Sequence, residues 1–174
     1  MKILVLVAHP NLEGSRINQR FAKELQSIEN VTIHNLYEVY PDEKIDVARE
    51  QQLLLDHDRI VLQFPLYWYS SPSLLKKWQD EVLAYGFAYG SDGTKLHGKE
   101  LLVAISTGGP NEAYQAGGYN NFTLSELLRP FQQTANLIGA RYLPIYSVSS
   151  SFQLSDEQVE AGATAYAAHI TREW

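Results

Sequence analysis

The stretch KILVLVAHPNLEGSRIN, residues 2–18, decides how the rest of the chain reads. Ile3 to Ala8 is an unbroken apolar run, the pattern of a strand covered on both faces. It stops at His9-Pro10, and a polar loop leads to Ser15 and the start of a helical stripe. A connection that only joined two elements would need no such chemistry. Strand, polar loop, helix is how a doubly wound α/β sheet begins, and such sheets bind ligands beyond the carboxyl ends of their strands.

The alternation continues along the chain. Strands are expected at 2–8, 31–36, 59–64, 100–106 and 141–148, the second of them short and polar enough for an edge. Helical stripes lie between them: Ile17, Phe21, Leu25 and Ile28, then Val47 to Leu55, then Leu75, Trp78 and Val82 behind a Ser71-Pro72 start. Thr123 and Glu126 have capping-box spacing ahead of a stripe interrupted at Pro130, where a kink or a new start is expected. Ser155 and Gln158 open the last helix. Core packing accounts for all these stripes. Five strands alternating with five helices predict an α/β fold, a five-stranded parallel sheet with helices on both faces, in a single domain over 1–174.

Composition narrows the function. With 174 residues, 45% hydrophobic and 20% charged, the chain is long enough for a real core. A net charge of -6 speaks against nucleic acid, which calls for a basic stripe. The absence of cysteine excludes disulfides, thiolate metal sites and thiol redox chemistry, so any redox activity needs a borrowed cofactor. No apolar run approaches the roughly 18 residues of a membrane span, and the N-terminal run reads as a strand, not a signal peptide. A cytoplasmic setting is expected. His34, His57, His97 and His169 lack metal-ligand spacing and are expected in solvent-facing or turn positions; no metal is assigned.

Three loops follow the central strands. After the first, a helix N-terminus offers free amides to an anion, with His9, Ser15 and Asn18 as further donors. A Ser-capped helix accounts for the same residues equally well. After the third, FPLYWYSSPSLL (64–75) places Leu66, Tyr67, Trp68 and Tyr69 where a buried strand emerges. These rings suit either a planar ligand or a loop packed back on the core. After the fourth, STGGPNEAYQAGGYNNF (106–122) has Gly108 and Gly109 for close backbone approach, then Tyr114 and Tyr119, and a plain flexible loop is its alternative. The dinucleotide fingerprint and the phosphate-loop motif are both missing.

With AHP…SRIN, FPLYWYSSPSLLKKW, FAYG, LHGK and STGG in this order, the chain resembles the flavodoxin-like NAD(P)H:quinone reductases over nearly its whole length. YEVYPDEKIDVAREQ (37–51) resembles the small bacterial branch, which includes ancillary flavoproteins of potassium efflux and general-stress oxidoreductases. The resemblance implies strand order 2-1-3-4-5 and FMN as cofactor, with FAD as the alternative. His9 with Ser15, Arg16, Ile17 and Asn18 would hold the flavin phosphate. Leu66 to Tyr69 would line the ring system, and Ser106, Thr107, Gly108 and Gly109 would close its pyrimidine side. Tyr114, Gly108 and Gly109 would stabilise charge during hydride transfer, and Trp68, Tyr89 and Asn120 would belong to the substrate pocket. Asn120 stands where eukaryotic members carry a relay histidine, which puts a tyrosine–histidine relay in doubt.

The implied activity is ping-pong hydride transfer from NAD(P)H through the flavin to a quinone-like acceptor, in a homodimer whose Phe87–Tyr89 segment reaches the partner's pocket. Two rivals stand beside it. One is an ancillary subunit of a potassium-efflux antiporter, peripheral at the inner face of the membrane. The other is a flavodoxin-type electron carrier, whose serine- and threonine-rich phosphate loop this sequence lacks.

Overall fold

A computed structural model describes residues 1–174. Strand β1 (Ile3–Val7) is followed by α1 (Arg16–Leu25), β2 (Val31–Asn35), a short α2 (Leu36–Val39) and α3 (Val47–Asp56). Then come β3 (Arg59–Pro65), α4 (Ser73–Val82), β4 (Glu100–Ser106), α5 (Leu124–Leu127), α6 (Arg129–Leu137), β5 (Arg141–Tyr142), β6 (Tyr146–Val148) and α7 (Asp156–Thr171). All pairings are parallel, and the sheet runs β2-β1-β3-β4-β5, with β6 also on β4. The order expected from the resemblance is the one observed.

Period-two burial explains the layers. Leu4 and Leu6 of β1 face one core with Leu54, Leu75, Trp78 and Phe131 of α3, α4 and α6. Ile3, Val5 and Val7 face the other, built by Ile17, Phe21 and Leu25 of α1 and Val159, Ala163 and Tyr166 of α7. Phe21 stacks on Tyr166 with centroids 4.9 Å apart.

Several local expectations change. The fifth strand is two short pieces, because Pro144 between them has no amide to offer a ladder. The helix expected from Thr123 is two: a capping box closes on α5, and the chain restarts at α6 with Pro130 in its first turn. Pro72, not Ser71, stands at the N-cap of α4, and no side chain caps that end. Ser155 and Gln158 do form a capping box at α7.

The expectation that the spare histidines face solvent or turns fails for two of them. His34 and His57 are buried, each held by specific acceptors. His57 joins Leu53 O and Thr32 Oγ1 at 2.7 and 2.9 Å. His34 Nε2 meets Glu50 Oε1 at 2.8 Å, Tyr40 donates to the same oxygen at 2.6 Å, and Trp78 Nε1 donates to Oε2 at 2.8 Å. A sequence pattern marks none of this as a network, because its members come from β2, α3, α4 and the end of α2.

Burial by itself would raise the Glu50 carboxyl, yet these three donors outweigh it and hold the group below its ordinary range. A depressed folded value means the stabilisation is complete above about pH 4.5, the ordinary value, and fades as pH falls through the lower folded one. Glu50→Ala, which orphans three buried donors, is expected to cost about 3 kcal/mol or more at neutral pH. Glu50→Gln should flatten the acid limb of the melting-temperature profile below pH 4.5. Thermal melts from pH 3 to pH 7 measure both effects, roughly spanning the carboxylate range.

Candidate functional site: a cleft at the carboxyl edge of the sheet

The strands end in step. Val7 pairs with Gln63, Pro65 with Ser106, and Ser106 with Val148, so the loops after β1, β3, β4 and β6 leave the sheet side by side. Between them lies a cleft of about 530 Å³ lined by His9, Ser15, Ile17, Leu66, Tyr67 and Gly108 among others.

One end of the cleft is the start of α1. Ser15 caps the helix by accepting from the Asn18 amide at 3.2 Å, which leaves the amides of Arg16 and Ile17 without an acceptor inside the protein. Those two N–H groups and the positive end of the helix suit this end to an anion. His9 is half-buried beside it, and burial lowers its pKa. The Asn11 amide donates to Nδ1 at 3.1 Å, so the neutral ring carries its proton on Nε2 and can donate from there.

The expected anion residues divide into those that face the cleft and those that build it. Ile17 buries its side chain and contributes only backbone. Asn18 is 2% exposed. Its Nδ2 donates to Ser106 Oγ at 3.0 Å, and its carbonyl accepts from Gln63 Nε2 at 3.0 Å. Arg16 reaches sideways to Leu154 O at 2.6 Å and Asp156 at 2.5 Å, tying the first turn of α1 to the start of α7. Gln63 was not singled out, although a lone amide in the apolar run RIVLQF was its signal. Gln63 also accepts from the fully buried Tyr166 hydroxyl at 3.0 Å.

The loop after β3 turns tightly. Tyr67 and Ser70 exchange backbone hydrogen bonds at 3.1 and 2.9 Å, and the two central residues, Trp68 and Tyr69, have φ of 48° and 62°. Two successive left-handed residues define a mirror-image turn that glycine and asparagine normally fill. Side chains as large as these in that conformation cost about 1–3 kcal/mol each. In return the turn presents the free amides of Trp68 and Tyr69, and projects the Trp68 ring 92% into solvent at the cleft rim.

The loop after β4 supplies the opposite wall. The amides of Gly108 and Gly109 donate to nothing inside the protein, while Thr107 Oγ1 braces the loop by donating to Gly109 O at 2.9 Å and Ser149 Oγ at 3.1 Å. Above Gly109 three side chains converge. A Cβ there would lie 2.9 Å from the Tyr119 hydroxyl, 3.3 Å from that of Tyr114 and 3.4 Å from Asn120 Nδ2. Tyr69 donates to Asn120 Oδ1 at 3.0 Å, which joins the two rims and turns the amide donor toward Gly109. Tyr89 is not part of this chain's cleft; it packs edge-on against Tyr85, 5.8 Å away, on a separate surface segment. Ser151 and Phe152, which line the cleft from the loop after β6, carried no recognisable signal in the sequence.

A model for a flavodoxin-like fold family, Flavodoxin_2, matches residues 1–170. The chain is 58% identical to an uncharacterized NAD(P)H oxidoreductase, YrkL, of Bacillus subtilis, over 94% of each chain. It is 45% identical to the glutathione-regulated potassium-efflux ancillary protein KefG of Serratia proteamaculans, over 95% of this chain and 90% of that one. Among solved structures, one described as a thermophilic tryptophan halogenase from Streptomycin violaceusniger has a TM-score of 0.97 at 54% identity, covering 98% and 99% of the two chains. General stress protein 14 of Treponema denticola in complex with FMN has a TM-score of 0.94 at 42% identity, covering 98% of both. An NADPH-quinone reductase from P. pentosaceus has a TM-score of 0.92 at 41% identity, covering both chains fully.

Aspartate caps a helix as well as serine does and adds a charge where an anion would sit. Ser15→Asp is therefore expected to keep the fold, by far-UV dichroism, and to weaken binding of a phosphate-bearing ligand at least about tenfold through like-charge repulsion. Unchanged binding by calorimetry would make the loop a connection only.

Proposed function

This chain belongs to the flavodoxin-like family Flavodoxin_2, and from that membership we propose that it is an FMN-dependent NAD(P)H:quinone oxidoreductase. The observation that carries the proposal is one cleft with free helix amides at one end, free glycine amides along one wall, and an aromatic rim at its mouth. Its volume lies within the roughly 300–1,000 Å³ of small-molecule sites. An FMN-bound relative at 42% identity and an oxidoreductase relative at 58% identity support the same reading. The oxidoreductase relative, at 58% identity, is more similar in sequence than the neighbour described as a halogenase, at 54%.

When bound, the flavin would supply the hydride-transfer chemistry between nicotinamide and acceptor. The chain's own residues orient, shield and donate. The amides of Arg16 and Ile17, with Ser15 and the His9 Nε2 proton, hold the phosphate. Leu66 to Tyr69 would line the flavin rings, and the Gly108 and Gly109 amides, free of partners inside the protein, would donate to negative charge developing on them. The hydroxyl of Tyr114 donates to the same region. Reduction of a quinone to a hydroquinone takes a hydride equivalent and one further proton. Asn120 has no proton to give at neutral pH, whereas the hydroxyls of Tyr114 and Tyr119 converge beside it.

The active species is a homodimer, in which the exposed Tyr85 and Tyr89 of one copy cover the cleft mouth of the other and provide apolar surface for the quinone, while Phe87 and Ala88 pack into their own core. A second role follows from the potassium-efflux relative: binding to a membrane antiporter as its ancillary subunit. No helix is long and apolar enough to cross a membrane.

Steady-state kinetics with NADPH or NADH and a quinone test the activity. Parallel double-reciprocal lines are expected, since donor and acceptor use the cleft in turn; intersecting lines would overturn that order. Tyr114→Phe should lower turnover roughly tenfold with little change in flavin affinity, the loss of one hydrogen bond to a charged group. Tyr89→Asp should weaken dimerisation and quinone turnover together while leaving FMN binding intact, as light scattering and calorimetry would report.

A further inference from the structure

The loop after β6 has no part in the reading above, yet it forms a wall of the same cleft. Its serines are locked to the Gly108 loop. Ser150 donates its amide to Gly109 O at 3.0 Å, Ser151 to Thr107 O at 3.0 Å, and Gln153 to Ser150 O at 2.8 Å. Ser149 Oγ lies 3.1 Å from Thr107 Oγ1 and donates to Asn111 Oδ1 at 2.6 Å. Ser150 is held at φ 58°, a left-handed conformation that serine adopts at a cost.

All this fixes the backbone of one residue. Phe152 is 90% exposed, yet its ring lies directly beside Gly108: a Cβ on Gly108 would meet Phe152 Cε2 at 3.1 Å and Cδ2 at 3.6 Å. A phenylalanine presented to water on a well-tethered turn contributes nothing to the core of its own chain. Its free face borders a cleft where Gly108 leaves room for close approach. Preorganised, exposed and next to a site for a planar ring, it is placed to stack or pack edge-on.

We propose that Phe152 is a binding residue for the flavin, closing the cleft on the side of Gly108 and holding the ring portion of the cofactor rather than its phosphate. The inference rests on the cleft being a flavin site. It also gives the Ser149–Gln153 turn a purpose: tension at Ser150 sets the angle of the aromatic wall. The two ends of the site then act separately, with α1 amides reading the phosphate and Phe152 reading the rings.

The test is fluorescence titration of apo-protein with FMN and with riboflavin, which has the rings and no phosphate. Phe152→Ala should raise the dissociation constants of both ligands by the same factor, roughly fivefold or more for a lost aromatic contact. Phe152→Trp should restore affinity for both. The melting temperature of each ligand-free variant should match that of the parent, because the side chain is exposed. A Phe152→Ala protein that binds FMN and riboflavin like the parent would overturn the proposal. So would a loss confined to FMN, which would place the ring at the phosphate, or a change in sedimentation alone, which would make it a contact between copies. A parent protein that binds neither ligand would instead overturn the flavin reading itself.

Discussion

The site depends on one buried side chain, Asn18. Its side-chain amide donates to Ser106 Oγ at the end of β4, and the residue's backbone carbonyl accepts from Gln63 near the end of β3. Its own backbone amide is the one that Ser15 caps. A single residue at the third position of α1 thus ties the helix start to two neighbouring strand ends. Buried polar groups are costly unless paired, so this arrangement has little freedom to slip. Gln63 extends it to Tyr166 of α7, which packs beside α1 in the same core layer. The Arg16 and Ile17 amides are therefore fixed in space before any ligand arrives, which is what makes a helix start a binding surface rather than a frayed end.

The rest of the cleft follows the same economy. Chain segments around the cleft are strained or locked, and they leave backbone amides free beside a few exposed rings. Trp68 and Tyr69 occupy left-handed conformations that leave their amides without an acceptor inside the protein, and Gly108 and Gly109 leave theirs free as well. Side chains that look like ligands, such as Thr107 and Asn18, instead hold the backbone in place. Specificity carried by amides explains how a chain without cysteine, metal cluster or phosphate-loop motif can still offer a cofactor site.

Much of the fold was legible because it rests on uniform physics. Unbroken apolar runs mark strands covered on both faces, and Ser155 and Gln158 announce a helix start by local hydrogen bonding alone. What escaped depended on distant partners or on a single residue. Pro144 divides the last strand, a break that the apolar run RYLPIYSV conceals. His34 and Glu50 are sixteen residues apart and meet only because β2 and α3 pack together. For the site, residue types and loop positions were readable, and the apolar stripe marked Ile17 as buried, but Arg16 carries no outward mark of reaching sideways to Leu154 and Asp156. The serine-rich turn before Phe152 was silent, since three serines in a row look like any surface loop until the sheet aligns β6 with β4.

The central claim is that these strand ends form a site for flavin mononucleotide. Protein purified without added cofactor, examined by visible absorption and then denatured to release its ligand for mass analysis, tests this most directly. The account predicts flavin absorption bands and release of FMN in amounts equal to the chain. A colourless protein that takes up no FMN on titration, or one that releases FAD, would contradict it.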